Sequence, residues 1–217
     1  MAMAAMDSGR RSLIGLRIGT FGLMVLALVA SMLFAIGAGR FSVEVPRIGE
    51  ILFAAFLNPD AAPTQMDERI VLLVRLPRVL LAALSGAALA VGGAALQGVF
   101  RNPLVSPQVL GISQGAAFGG ALAILFGYSG VVLLGMAFIL GLSALILVGL
   151  LARINGRTEV ITVILAGMIV GALFAALVSV VQFVADPNTS LPAIVYWLMG
   201  SFSTATWPRL WLAVPGM

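Results

Sequence analysis

Few side chains in these 217 residues could do chemistry, and three residue types that catalytic sites commonly use are missing. The sequence contains no cysteine, no histidine and no lysine, and its 12 basic residues are all arginines. Without thiols and imidazoles, a thiol nucleophile, an ordinary zinc site and bis-histidine haem ligation are excluded. Without lysine, the sequence cannot form the phosphate-binding loop of an ATPase. We therefore expect no enzymatic reaction, no cofactor and no metal ligands in these residues.

The polar side chains inside the long uncharged runs are all neutral. Those expected at mid-membrane depth are Ser85, Gln97, Ser113, Gln114, Ser143, Thr162, Ser179 and Gln182. Carriers that are driven by proton or sodium gradients usually keep an ionisable residue at mid-membrane. The pattern therefore disfavours a gradient-driven carrier. For any single one of these residues, a hydrogen bond to neighbouring backbone is a sufficient explanation.

One of these runs carries small and mildly polar residues at helical spacing. The stripe consists of Met168, Ala172, Ala175, Ser179 and Gln182. Steps of four and three residues place them on one face of a helix, separate from the face that carries Gly167 and Gly171. Such a face is typical of the wall of an aqueous pathway for a large solute. A helix–helix interface has a similar composition, so both interpretations stay open.

The composition indicates what must hold these residues in place. Of the sequence, 61% is hydrophobic and only 9% is charged, whereas a soluble domain has about 25% charged residues. Because about 20 apolar residues cross a bilayer as a helix, we predict an all-α, polytopic transmembrane helix bundle. The uncharged runs predict five complete spans, at about 18–39, 79–100, 108–126, 131–151 and 160–185.

Shorter segments complete the predicted layout. Val45–Leu57 has the pattern of a short amphipathic helix. Residues 191–200 are apolar but too few to cross, and the neighbouring tryptophans favour an interfacial or re-entrant helix. A sixth span starts near Leu210 and is cut off, so we expect a single transmembrane domain over residues 1–217 that is truncated. The net charge of the segments between spans, +4 on one side and zero on the other, favours a cytoplasmic N-terminus, whereas the arginines alone divide equally between the sides.

Glycines recur at every fourth residue in two of the predicted spans. They are Gly111, Gly115 and Gly119 in the third span, and Gly167 and Gly171 in the fifth. Lipid tails give helices no hydrophobic reason to associate, so small residues that allow close backbone contact support helix packing. We expect these five glycines to lie at helix–helix contacts. Such spacing is common in polytopic proteins and specifies no function.

Several longer motifs occur in order from about residue 40 onward. They are Arg75-Leu-Pro-Arg78, Arg101-Asn-Pro-Leu104 with Pro107, Leu110-Gly-Ile-Ser-Gln-Gly-Ala116, and Tyr196-Trp-Leu-Met-Gly200. In this combination the sequence resembles the permease subunits of bacterial ABC importers for iron–siderophore complexes, haem and vitamin B12. The resemblance implies a homodimer of ten-span subunits in the bacterial inner membrane, with the solute path at the two-fold axis. It also implies an ATP-hydrolysing subunit on the cytoplasmic side and a solute-binding protein outside.

The resemblance further implies roles for individual residues. Arg75 and Arg78 match arginines that meet acidic residues of the binding protein, and paired guanidinium groups at a membrane rim suit that role. Snorkelling to lipid phosphates is the alternative. Asn102 and Leu104 match the cytoplasmic gate, although a plain helix-ending turn explains the prolines equally well. The family's other gate segment carries hydroxyl residues, and this chain departs from that pattern at residues 158–162.

Together these features predict the permease subunit of an ABC importer that takes up an iron chelate. A ferric siderophore is the first choice, then haem and then cobalamin, and a molybdate-type oxyanion remains open. The family's coupling helix and last pathway span have no counterpart here, so we expect these residues not to transport alone. The alternatives are a structural membrane subunit of a larger complex and, third, a gradient-driven carrier. No nucleic-acid partner is expected, because the formal net charge is only +4.

Overall fold

The computed structural model describes residues 2–59, 61–103, 105–154, 157–158 and 160–214, with side chains in 17–59, 61–103, 105–153 and 160–214. The helices are α1 (Ala2–Gly37), α2 (Val45–Leu57), α3 (Met66–Arg69), α4 (Leu76–Phe100), α5 (Ile112–Leu125), α6 (Gly130–Leu151), α7 (Val160–Val184), α8 (Ser190–Met199) and α9 (Trp207–Ala213). The π-helical stretch Ile70–Arg75 joins α3 to α4. Strands β1 (Arg153–Ile154) and β2 (Arg157–Thr158) form a short antiparallel pair. The predicted helical membrane bundle is confirmed.

Four helical stretches are long and apolar enough to cross a membrane. They are Arg17–Gly37, Met66–Phe100, Gly130–Leu151 and Val160–Val184. The span predicted at 108–126 is shorter, because Pro107–Leu110 form a 3-10 turn and Gly111 turns the backbone before the 14 residues of α5. A helix of that length extends about 21 Å, less than the roughly 30 Å of a bilayer core. The count of five complete spans is therefore not confirmed.

The helical run that contains α4 begins earlier than hydropathy predicted. It starts at Met66, where the Glu68 carboxylate accepts the backbone N–H groups of Thr64 at 2.8 Å and Gln65 at 3.1 Å. Such reciprocal bonds satisfy the free N–H groups at a helix start. The sequence analysis placed the start of this span at about residue 79, because charged residues occur up to Arg78. The consequence is a long helix in which Arg75 is an interior residue.

The described residues form two compact units. One unit draws on residues 1–84 and 203–217, and the other on residues 85–202. In the first unit α1, α2 and the π-helical stretch bury a small apolar cluster, which consists of Ile36, Val43, Ile48, Ile51 and Val71. The indole N–H of Trp207 donates to the Leu72 carbonyl at 2.9 Å and ties α9 to the same stretch.

The second unit positions α7, which carries the predicted pathway stripe. Helices α5, α6 and α7 pack around a core that consists of Leu110, Ala144, Val148, Ala152, Val163, Ala166, Val170 and Phe174. The ring centroids of Phe118 and Phe174 lie 5.8 Å apart and link α5 to α7. A smaller cluster attaches α8 and is made of Ala121, Val181, Ala185 and Ile194. These contacts fix which side of α7 is covered.

Candidate translocation and docking sites

Helix α7 presents two different faces within the second unit. One face is buried and consists of Val163, Ala166, Gly167, Val170, Phe174, Val178 and Val181. The predicted pathway stripe lies on another face, with Met168, Ala172, Ala175 and Ser179 exposed and Gln182 half-buried. Met168 is 61% exposed. Within this unit, the stripe is therefore open to a solute path, to lipid or to a further chain.

Two serine hydroxyls, one in α7 and one in α6, bond to their own helices. Ser179 Oγ donates to the Ala175 carbonyl at 3.2 Å, and Ser143 Oγ donates to the Leu140 carbonyl at 2.8 Å. A hydroxyl that donates to the preceding turn satisfies its proton in an apolar environment and keeps its oxygen as an acceptor. The α7 stripe therefore offers a neutral, weakly polar surface without a fixed charge.

The packed face of α7 meets the segment before α5 backbone to backbone. A Cβ atom at Gly167 would overlap the Val109 carbonyl oxygen, and one at Gly111 would lie 3.0 Å from the Gly171 nitrogen. Gly111 also has a φ of 70°, a left-handed conformation that favours glycine. Side chains at Gly111 and Gly167 would push α7 away from this segment.

Helices α5 and α6 approach each other just as closely. A Cβ atom at Gly115 would lie 2.6 Å from the Leu140 carbonyl oxygen, and one at Gly119 would overlap the Met136 carbonyl oxygen. Such backbone contact is available only to very small residues. The glycines with four-residue spacing therefore lie where helix backbones meet.

A contact that the sequence analysis missed places α8 on α5. The indole ring of Trp197 lies against Gly120, where a Cβ atom would overlap the ring. The Trp197 Nε1–H donates to the Ala117 carbonyl at 3.3 Å. The short helix therefore docks into a notch that glycine opens on α5. The pair of consecutive glycines at 119–120 was the available signal for this notch.

The turn between α7 and α8 is organised by one carboxylate. Asp186 accepts the hydroxyl and the N–H of Thr189 and the N–H of Asn188, each at 2.9 Å. These bonds, the hydroxyl first, hold the pKa of Asp186 below its usual value, because they favour the charged carboxylate. Asp186 thereby sets the direction in which the chain enters α8.

The two arginines of the Arg-Leu-Pro-Arg motif lie in different surroundings. Arg75 is buried, with 8% exposure. Its guanidinium group donates to the backbone carbonyls of Ile36 at 2.6 Å, Gly37 at 3.0 Å and Phe41. Arg78 is half-buried at the surface of the same unit. The structure therefore does not present Arg75 and Arg78 as an equivalent pair, and the Arg75 guanidinium is directed at the end of α1.

A cavity of about 310 Å³ adjoins these arginines. Three of the side chains that line it are arginines, Arg40, Arg75 and Arg78, and apolar residues such as Ile70 and Val74 form much of the wall. None of its described lining residues is acidic. Three arginines and no described acidic residue around one cavity favour anionic over cationic groups there.

The predicted gate residue Asn102 lies in a tight turn after α4. Its N–H donates to the Gln97 carbonyl at 3.2 Å, a bond typical of a Schellman helix end. Arg101 takes the left-handed position of that motif, with a φ of 48°, which is unusual for a residue with a side chain. Leu104, the other predicted gate residue, lies outside the described residues, and so do the side chains at 154–159.

Comparisons with known proteins identify a family for this chain. Residues 26–217 match the FecCD transport family. The chain belongs to this family. The sequence-based identification of an importer permease family is thereby confirmed, and the family is one of transport proteins. The curated relatives of the FecCD chain include permeases for several different solutes.

Three relatives show the range of solutes that the named permeases import. The molybdate import permease MolB of Haemophilus influenzae is 45% identical over 190 residues, covering 88% of this chain and 56% of that protein. The hemin permease HmuU of Yersinia pestis is 41% identical, covering 64% of this chain and 43% of that protein. The vitamin B12 permease BtuC of Escherichia coli is 36% identical, covering 72% of this chain and 48% of that protein.

A solved structure also resembles the FecCD chain. It is an inward-facing metal-chelate type ABC transporter, with a TM-score of 0.72 and 39% sequence identity. The match covers 90% of this chain and 57% of the solved one. The chain spans about half the length of the curated relatives it matches.

Proposed function

We propose that this FecCD chain belongs to the membrane permease of an ABC importer, where it holds and gates a solute path without chemistry of its own. The family match over residues 26–217 carries this proposal. The exposed stripe on α7 supports it, because a neutral face on a firmly packed helix suits the wall of a path. The lack of lysine is in line with it, since these residues then cannot form an ATP-binding loop of the Walker type.

The complete importer would contain three further components. We propose a second permease copy, an ATP-hydrolysing subunit on the cytoplasmic side and a solute-binding protein on the outer side of the inner membrane. We propose a cytoplasmic N-terminus, for which the resemblance assigns the turn with the predicted gate residues Asn102 and Leu104 to the cytoplasmic end of the path. Arg75 and Arg78 then lie at the outer end, where the binding protein docks.

The transported solute is either a metal chelate or a molybdate-type oxyanion. The sequence favoured a ferric siderophore, and permeases for hemin and vitamin B12 are among the relatives. The 45% identity to a molybdate permease favours an oxyanion, and we place it first. A path without charge does not select either solute by itself, so selection falls to the binding protein.

Competitive uptake by cells that carry the complete importer distinguishes these solutes. We expect labelled molybdate to accumulate and unlabelled molybdate, but not ferric siderophore, to compete. Uptake of ferric siderophore or haem with no molybdate uptake would show that the solute is a metal chelate and not an oxyanion.

Co-purification of the complete protein tests the class of function. An ATPase and a soluble binding protein in the same complex support an importer. Recovery with other membrane subunits alone would support the rival interpretation, a structural subunit of a larger complex.

A further inference from the structure

Helix α2 packs at the level where the first spanning helix ends. Its buried side chains Ile48 and Ile51 belong to the same apolar cluster as Val71. A Cβ atom at Gly37, the last residue of α1, would lie 3.3 Å from Ile48 Cδ1. Because α1 is long and apolar enough to cross a membrane up to that residue, this contact places α2 beside one boundary of the bilayer.

The long helix Met66–Phe100 indicates the same level independently. Its uncharged residues 79–100 rise about 1.5 Å each, so they cross a core of roughly 30 Å by themselves. The earlier residues, which include the charged Asp67 and Glu68, then lie outside the hydrocarbon core. Helix α2 packs on this earlier part, where Val71 is buried against it. Both spanning helices therefore put α2 at the depth of the lipid headgroups.

A second apolar face of α2 is exposed within this unit. Phe56 is 82% exposed and Phe53 is 65% exposed. Together with the exposed residues Val45, Gly49 and Leu57 they occupy about a third of the helix circumference, at 3.6 residues per turn. We call these residues the phenylalanine face. Single exposed apolar residues are ordinary, but a continuous apolar face indicates a contact surface.

An ion-pair network fixes the direction in which this face points. Arg47 Nε donates to Asp67 at 2.7 Å, and Arg47 Nη2 donates to Gln65 Oε1 at 2.8 Å. Both bonds run from α2 to the start of the long helix. Because Ile48 is buried beside Arg47, α2 is held on two sides and cannot turn its phenylalanine face inward.

Lipid fits the phenylalanine face better than a second protein does. A helix of 13 residues is about 20 Å long and about 10 Å wide. One face therefore covers roughly 200 Å², whereas a stable protein interface buries about 800 Å² per partner. Amphipathic helices that lie on a bilayer bury phenylalanine and leucine side chains at the boundary between headgroups and acyl chains. The phenylalanine face has that composition and lies at that depth.

We propose that α2 lies along the bilayer surface with Phe53 and Phe56 inserted between lipid acyl chains. Helix α2 then anchors the segment that joins the two spanning helices of this unit. This lipid contact does not depend on what the complete protein transports, nor on whether it transports at all.

Spin labels on α2 test the contact without solute, ATPase or binding protein. These 217 residues contain no cysteine, so Phe53→Cys, Phe56→Cys and the matched control Ala54→Cys can be labelled singly. Ala54 is also exposed but lies on the polar side of α2. The complete protein, with any cysteine outside these residues replaced by serine, is placed in phosphatidylcholine nanodiscs.

We expect opposite accessibilities on the two sides of α2. The labels in Phe53→Cys and Phe56→Cys should collide more often with oxygen than with a water-soluble nickel chelate. They should lie about 5–10 Å inside the boundary between headgroups and acyl chains. The label in Ala54→Cys should prefer the nickel chelate.

Two results would overturn the proposal. Labels at both phenylalanine positions that are shielded from oxygen and from nickel would show that protein, such as a second copy of the chain, covers the face. Labels at these positions that prefer the nickel chelate would show that the face is in contact with water.

Fluorescence provides a second measurement with a smaller change of side chain. Phe53→Trp keeps an aromatic ring, and its added emission is obtained by subtracting the emission of the parent protein. We expect lipids that are brominated on their acyl chains to quench this added emission and to leave most of that of Ala54→Trp. Equal quenching of the two variants would contradict insertion of the phenylalanine face.

The charge of the lipid should have no influence on this contact. Arg47 is the only basic residue of α2, and it is paired with Glu50 at 3.0 Å and with Asp67 at 2.7 Å. We therefore expect the same label depths when phosphatidylglycerol is added to the nanodiscs. Insertion only in the presence of phosphatidylglycerol would show that charge, and not the apolar face, holds α2 at the membrane.

Discussion

At the scale of single residues, the glycines of α5 determine how closely α6 can approach. A Cβ atom at Gly119 would overlap the Met136 carbonyl oxygen, whereas one at Gly135 in α6 would meet no atom of a neighbouring element within 4 Å. The same substitution should therefore have opposite effects at these two positions, because alanine favours a helix but needs room for its methyl group.

We predict that Gly119→Ala lowers the free energy of unfolding by about 1–3 kcal/mol, the usual cost of overpacking. Gly135→Ala should be neutral or stabilising by up to about 1 kcal/mol. Thermal unfolding of the purified protein in nanodiscs measures both. Equal stability of the two variants would contradict the backbone contact between α5 and α6.

The turn between α7 and α8 should loosen in acid because a single residue, Asp186, becomes protonated. Bonds to the Asp186 carboxylate lower its pKa from the ordinary value near 3.8. Their contribution to stability is therefore complete above that value and is lost as the pH falls through the lower folded pKa. We predict that hydrogen-exchange protection of the Asn188 and Thr189 amides, corrected for intrinsic rates, falls below about pH 3.8.

Asp186→Asn provides the control for this effect. Asparagine keeps an acceptor oxygen for the turn but does not titrate. The acid-dependent loss of protection should disappear in this variant. Persistence of the same pH dependence in Asp186→Asn would assign the effect to another group.

At the scale of elements, α7 separates a packed face from an open one. Ser179 belongs to the pathway stripe, whereas its exposed neighbour Val180 lies about 100° further around the helix. If the stripe lines the path, bulk at Ser179 should obstruct it, and bulk at Val180 should be accommodated by lipid.

We predict that Ser179→Trp abolishes most solute uptake by the complete importer, while Val180→Trp retains it. ATPase-coupled uptake in proteoliposomes provides the readout, with protein recovery and thermal unfolding as checks that both variants fold. Loss of uptake in both variants, or in neither, would contradict the assignment of the stripe.

Several elements could be predicted because one local property specifies each of them. Uncharged runs identified four helices of spanning length, and amphipathic spacing gave Val45–Leu57 with its observed bounds. The spacing of residues on α7 separated the Gly167 face from the stripe, since 3.6-residue periodicity needs no tertiary information.

Other features depend on contacts between distant residues and had no local signal. The burial of Arg75 requires carbonyls more than thirty positions earlier in the chain, at Ile36 and Gly37. The notch for Trp197 requires α8 to meet Gly120 on another helix. Hydropathy likewise missed the start of the long helix at Met66, because a charged first turn resembles a loop.

At the scale of the whole molecule, the account depends on where the energy for transport originates. A chain without lysine cannot bind ATP through a Walker loop, and its apolar runs hold no ionisable group to couple to a gradient. Under the proposed function, these residues form part of a gated path whose two states are interconverted by a separate ATP-hydrolysing protein.

Reconstitution of the complete permease in proteoliposomes tests this claim most directly. Solute uptake is measured with and without the ATP-hydrolysing subunit, in the presence of the binding protein, and with proton and sodium gradients imposed separately. We predict uptake only when the subunit and ATP are both present, and no response to either gradient alone. Sustained accumulation of solute by the permease without the ATPase would contradict the account.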